Sequence, residues 1–150
     1  MMYLLDTNVV SEMRKAFNPQ QRGARINPGV KAWIESVPWS RLYLSVIVIL
    51  ELEIGFQLID RHDPFQAAIL RSWVRDNVVR EFDGRILPVD VAVAQRCAML
   101  HVPNPAPSRD AFIAATALVH GMTVVTRNVR DFQPTGVQLL NPWRDGSGSD

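Results

Sequence analysis

Four carboxylates stand out by the company they keep. Asp6 closes the apolar run 2–5 and is followed by Thr7 and Asn8, while Glu51 sits inside an uncharged stretch between Leu50 and Leu52. Asp110 follows a proline-rich segment, and Asp131 closes the run Thr126-Arg127-Asn128-Val129-Arg130-Asp131. Gathered in one place, such groups repel: two unit charges about 5 Å apart at an effective dielectric near 20 cost roughly 3 kcal/mol. They stay together only with shifted pKa values or a divalent cation. An all-oxygen set with no cysteine or histidine nearby in sequence fits Mg²⁺ or Mn²⁺, and with them phosphoryl chemistry, not zinc hydrolysis. Thr7, Asn8, Thr126 and Asn128 are placed to hold the carboxylates, or waters around an ion, by hydrogen bonds. Arg109, Arg127 and Arg130 border the acids and could grip phosphates or neutralise the carboxylates.

Each residue also has a plainer reading. Asp110 in a first helical turn could merely complement the helix dipole, and Asp131 could be a turn residue. Thr7, Asn8 and Asn128 could be cap and turn residues. Glu51 shares a helical face with Ile47 and Ile54, whereas Glu53, about 200° round the helix, is the expected solvated partner.

The elements that must position these groups alternate strand with helix. The apolar run 2–5 reads as a buried strand, 9–16 as a short helix and 17–29 as a loop rich in glycine and proline. Asn27 caps and Pro28 opens a helix running to about Val37. A strand at 42–44 precedes a helix at 46–59 capped by Ser45. Asp63-Pro64 opens another to about Phe82, with Phe65, Ile69, Trp73 and Val74 expected on its buried face. A brief strand at 86–89 carries Pro88, which marks a strand end or sheet edge. Asp90 caps a helix to about Leu100, and the segment 102–107, with three prolines, is a rigid connection. Ser108 is expected to cap the next helix, which Gly121 ends. A β-branched strand at 123–126, a loop at 127–136 and a strand at 137–140 complete the order, with no internal repeat. Short apolar strands between helices imply an α/β fold, a mostly parallel sheet of four to five strands with helices on both faces. Ligands in such sheets sit beyond the carboxy ends of the strands. If the strand ends face one way, the four acids converge there.

Composition bounds the rest. A chain of 150 residues allows one domain, assigned to 1–143, with a Gly/Ser/Asp tail at 144–150 expected to be disordered. The formal net charge of +1 gives no overall electrostatic footprint, although only Lys15 and Lys31 among 16 basic residues are lysines. Cys97 is the single cysteine, so no internal disulfide can form, and the histidines lack zinc spacing. The uncharged run 42–50 is far too short to span a bilayer, and the amino terminus has no secretory pattern. The expectation is a soluble, cytoplasmic protein with no membrane partner.

Taken in order, these motifs resemble the PIN-domain ribonucleases, in particular VapC/FitB-type toxins of type II toxin–antitoxin pairs. Leu-Leu-Asp6-Thr7-Asn8-Val-Val-Ser-Glu is similar to the opening of that family, and Ser45 with Glu51-Leu52 and Gly55 to its second acidic motif. Asp110-Ala111-Phe112-Ile113-Ala114-Ala115 is similar to the third and the Thr126–Phe132 run to the fourth. Leu140-Asn141-Pro142-Trp143 is similar to the closing segment of FitB-like members, so the likeness spans residues 2–143. The chain departs from the pattern at Leu50, where alanine is common, and at Pro105, Pro107 and Arg109. The resemblance implies a PIN-like three-layer sandwich and metal-binding, catalytic acids at Asp6, Glu51, Asp110 and Asp131. It also implies Mg²⁺- or Mn²⁺-dependent hydrolysis of RNA phosphodiesters to 5′-phosphate and 3′-hydroxyl ends. The expected partners are RNA, a cognate antitoxin that enters the acidic site, and a second copy in a homodimer within a toxin–antitoxin hetero-oligomer.

Two rivals share the sheet but not the residues. A phospho-acceptor receiver domain needs a lysine on a late strand, and none follows Lys31; a haloacid-dehalogenase phosphatase needs an aspartate where Asn8 stands. The alternative of another class is a catalytically inactive RNA-binding or protein-interaction module on the same fold.

Overall fold

The computed structural model describes residues 1–17 and 25–144. Most of the loop read at 17–29, and the tail from 145, lie outside the described residues. Five strands, β1 (Tyr3–Leu5), β2 (Leu42–Ser45), β3 (Ile86–Leu87), β4 (Thr123–Val125) and β5 (Leu139–Leu140), form one sheet in the order β3-β2-β1-β4-β5. Every pairing is parallel, with Tyr3 beside both Leu42 and Thr123 in the central registers. Successive strand residues point to opposite faces. Leu4 and Leu5, like Val124 and Val125, are all fully buried, so helices cover both faces and the sandwich has three layers. Pro88 follows β3 at the sheet edge, where a missing N–H breaks no ladder.

The helices are α1 (Thr7–Phe17), α2 (Pro28–Ser36), α3 (Val46–Asp60), α4 (Pro64–Ser72), α5 (Val79–Glu81), α6 (Val91–Leu100), α7 (Ser108–His120) and the short α8 (Val129–Phe132). Their starts follow the expected side chains. The Asn27 Oδ1 accepts from the Gly29 and Val30 N–H groups, the Ser45 hydroxyl from Ile47, Asp63 from Gln66 and Asp90 from Val93. Gly121 ends α7 with φ at +67°, a left-handed turn that a side chain would strain.

Four expectations need correction. Ser108 is the first residue of α7, not its cap; Pro107 holds the cap position and no side chain caps the helix. Val129–Phe132 and a 3₁₀ turn, Gln133–Thr135, replace the expected loop, because Phe132 is pulled fully into the core and winds the chain. Between α4 and α5 lies a π-helical segment, Trp73–Val78; of the expected face Val74 is buried and Trp73 packs on the core, but Ala67 and Val78 complete it in place of Phe65 and Ile69. Phe65 is 78% exposed and Ile69 also faces out. Two apolar stripes competed here, and the one bearing small Ala67 lets α4 approach α3 closely. Glu53 is not simply solvated: it accepts from the Arg75 guanidinium at 3.1 and 3.3 Å.

Two glycines separate packing from propensity. A Cβ on Gly29 would collide with the Pro142 carbonyl, where the start of α2 abuts the carboxy-terminal segment, whereas a Cβ on Gly55 inside α3 meets nothing within 4 Å. In urea unfolding, Gly29→Ala should lose roughly 1–3 kcal/mol by overpacking. Gly55→Ala should gain about 0.5–1 kcal/mol from helix propensity.

Candidate active site

The sheet order changes direction on either side of β1, and the bay lies beyond the carboxy ends of β1 and β4. Asp6 directly follows β1 and anchors α1: its N–H donates to the Val125 carbonyl at 2.9 Å, and its own carbonyl accepts from Val9 at 3.0 Å. Its carboxylate is buried and held from two sides. Oδ1 accepts from the Thr7 N–H at 2.8 Å, and Oδ2 from the Thr126 hydroxyl at 2.8 Å. The Asn8 amide reaches Asp6 Oδ2 at 3.5 Å and the Thr126 hydroxyl at 3.3 Å. On the far side, Asn8 Oδ1 accepts from the Arg127 N–H at 3.3 Å, and the Thr126 oxygen from the Asn128 N–H at 2.9 Å. Thr126 is thus the joint between the strand ends, which is why a fully buried hydroxyl is tolerated there.

Glu51 enters from the second turn of α3, where the Thr7 hydroxyl donates to its Oε1 at 2.6 Å. Arg109 stands 3.8 Å from its Oε2 with half of its own side chain in solvent, a loose ion pair. Asp110, half-buried in the first turn of α7, senses the negative charges of both Glu51 and Asp131. Asp131 lies exposed on α8.

The electrostatics show the convergence. The Asp6 carboxyl is raised to about 6, chiefly by burial and further by the charges of Asp110 and Glu51, against the hydrogen bonds from Thr126 and Thr7. Asp110 is raised as well, first by burial and then by Glu51 and Asp131, with Arg109 opposing. Among the described residues, no three acidic, cysteine or histidine side chains stand close enough to enclose one ion. The arrangement is therefore an open, negatively charged bay. Its donors are all oxygens and its deepest carboxylate has no cationic partner among the described residues, which fits a hard divalent ion that keeps part of its water shell.

The structure brings Thr7, Asn8 and Thr126 into the contacts expected of them. Asn128 contributes its backbone N–H; its side chain makes no cap bond to α8. Arg127 turns away, its guanidinium 5.5 Å from the centroid of the Trp143 ring. The sequence reading missed Ser11 and Arg14. Both line a cavity of about 330 Å³ that also touches Thr7 and Glu51. Their signal was the helical spacing of 7, 11 and 14, which puts all three on one side of α1.

Comparison with known proteins is consistent with this geometry. The family model described as PIN domain matches residues 3–136, a span that contains all four acids. The chain is similar to Toxin FitB of Neisseria gonorrhoeae, 35% identical over 149 residues covering 96% of this chain and 100% of that protein. It is 33% identical to VapC ribonuclease Y4jK of Sinorhizobium fredii, covering 95% of this chain and 98% of that one. Among solved structures, FitAcB from Neisseria gonorrhoeae superposes with a TM-score of 0.81 at 34% identity, over 95% of this chain and 99% of that chain.

The raised Asp6 pKa makes stability depend on pH with a definite sign. The native state binds this proton more tightly than the unfolded chain, so stability is greatest below the ordinary value of 3.8 and falls as pH rises to about 6. Above that the bay carries a burden on the order of 3 kcal/mol. In chelator, Asp6→Asn should therefore melt higher than the parent at pH 8, and the two curves should meet near pH 4.

Proposed function

The chain belongs to the PIN-domain family, alongside relatives of the VapC and FitB type, and from that footing we propose that it is a Mg²⁺- or Mn²⁺-dependent endoribonuclease toxin controlled by a cognate antitoxin. The observation that carries this reading is the set of mutually repelling acids at the strand ends, with Asp6 buried at its base and held by hydroxyl and amide donors. Asp6 and Asp110, with Glu51 and Asp131 around them, would hold the ion. When bound, it supplies charge compensation for a phosphodiester and assists ionisation of an attacking water. The chain's own residues do the positioning. Thr126 and the Thr7 N–H fix both oxygens of Asp6, and the Thr7 hydroxyl turns Glu51 toward it, so the acids are oriented before substrate arrives. Arg109, loosely paired and half-exposed, is free to leave Glu51 for a substrate phosphate. The products would be 5′-phosphate and 3′-hydroxyl ends.

The antitoxin expectation is supported by the similar solved structures, several of which are toxin–antitoxin complexes, three of them bound to DNA. A basic antitoxin side chain in the bay would offset the acids' repulsion and so replace the ion. We place the site in the cytoplasm, where RNA and antitoxin are made; no helix among the described residues is long and apolar enough to cross a membrane. For the homodimer, Val46, Leu50, Ile54 and Leu58 are exposed at four-residue spacing along α3, a stripe able to pack against its own copy about a two-fold axis.

Purified protein should cleave RNA with Mg²⁺ or Mn²⁺ and stop in chelator, as read by gel. Asp6→Asn and Asp110→Asn should fall to background while staying folded, and Thr7→Val or Thr126→Val should lose about 10–100-fold. Full cleavage by both aspartate variants, free of contaminating nuclease, would discard the assignment of these acids, whereas no cleavage by the parent would favour the inactive-module reading. Analytical ultracentrifugation should show a dimer that the double change Ile54→Glu with Leu58→Glu turns into monomer.

A further inference from the structure

Beside the acid bay, between α1, α3 and the π-helical segment, lies the cavity of about 330 Å³ lined by Thr7, Ser11, Arg14, Glu51, Phe56 and Trp73. The guanidinium of Arg14 lies over the Trp73 ring, 5.9 Å from its centroid, and its Nη2 is buried with no hydrogen-bond partner among the described residues. Burial also lowers the Arg14 pKa, a sign that its charge is held away from water without compensation. A donor shut away from water with no acceptor forfeits its hydration, while the rest of the Arg14 side chain is only partly buried. It is the less buried remainder of the guanidinium that an acceptor from outside would reach.

We propose that Arg14 is a substrate-positioning residue that binds a backbone phosphate of the RNA strand adjacent to the phosphate cleaved at the acid bay. The inference deepens the ribonuclease reading and rests on it. Three observations choose a nucleic-acid phosphate. First, the cavity is continuous with the bay: Thr7, Ser11 and Arg14 share one side of α1, so the Arg14 backbone lies about 10 Å along the helix axis from that of Thr7. Second, the polar groups at the Arg14 end are donors, the Ser11 hydroxyl and the guanidinium. The cavity's one carboxylate, Glu51, is engaged by Thr7 and Arg109. An acceptor-only oxyanion is the complement of that set. Third, the wall carries the partly exposed Trp73 beside the Arg14 guanidinium, while the buried Phe56 closes the floor, and an aromatic ring next to a guanidinium accepts an unstacked base beside its phosphate. The π-helical turn beginning at Trp73 is what places that ring at the cavity wall, and such turns recur at functional sites.

The test uses the full chain with Asp110→Asn as the non-cleaving background and a fluorescein-labelled random-sequence oligoribonucleotide as probe. Adding Arg14→Ala should weaken binding about tenfold or more. It should also reduce the slope of log affinity against log salt by about 0.7, one phosphate contact on a single strand. Arg14→Lys, keeping the charge but not the planar fork, should fall between. In the cleaving protein, Arg14→Ala should raise KM and leave kcat nearly unchanged. Neutral methylphosphonate linkages walked along a mapped substrate should weaken the parent at one linkage beside the cleaved bond, and Arg14→Ala should be indifferent to that same linkage. That last comparison holds even if an Arg14 variant melts early, because the parent alone must show the sensitive position. Unchanged affinity and salt slope in a folded Arg14→Ala, or no sensitive linkage in the parent, overturns the proposal. So does a variant that binds RNA normally but escapes inhibition by the product of the neighbouring gene, which would give the cavity to a protein partner. If the parent binds RNA through Arg14 but cleaves nothing, the ribonuclease reading fails and the phosphate contact stands.

Discussion

The molecule is organised around a repulsion. Parallel strands of similar length, β1 and β4, end at the same level, and the chain sets a carboxylate directly after β1 where water is scarce. Two further acids, from α3 and α7, approach closely enough to push its proton affinity upward. Left alone, that arrangement favours protonation or opening of the bay. It persists because the surrounding fold is rigid: Leu4, Leu5, Val124 and Val125 lock the strands from both faces, and their packing outweighs the charge crowding at their tips. The strain is confined to the one place where a cation or cationic side chain would relieve it.

Neutral hydrogen bonds transmit that constraint. Thr126 donates to Asp6 and accepts from Asn128 and Asn8; Thr7 gives its N–H to Asp6 and its hydroxyl to Glu51. Six residues from distant parts of the chain therefore share a few donors, so the acids keep their orientation despite mutual repulsion. Neutral partners suit this task better than arginines would, because a fixed guanidinium would cancel the charge that draws an ion. Arg109 is accordingly loose, and Arg127 is occupied by Trp143.

Much of this was legible in the residues. Helix starts at Asn27, Ser45, Asp63 and Asp90 follow from side chains that bond backbone N–H groups two or three positions on, a local matter. The apolar runs at β1 and β4 read as buried strands because nothing polar interrupts them. Where two solutions were locally equal, reading failed. The helix from Pro64 carries two apolar stripes, and only contact with α3 chose Ala67 and Val78, beside the expected Val74, over Phe65 and Ile69. Nothing local announced α8 either, since burial of Phe132 is what winds it.

Residue types and spacing alone determined the alternating α/β order, the four acids, their threonine and asparagine neighbours and the family they belong to, because each of these is carried by a few adjacent positions. Tertiary structure alone decided which acids sense one another, that burial raises Asp6 and Asp110, that Arg127 turns aside and that the Arg14 Nη2 is left buried without a partner among the described residues. Those are relations between elements far apart in the chain, and distance, burial and charge coupling exist only once the sheet has brought the elements together.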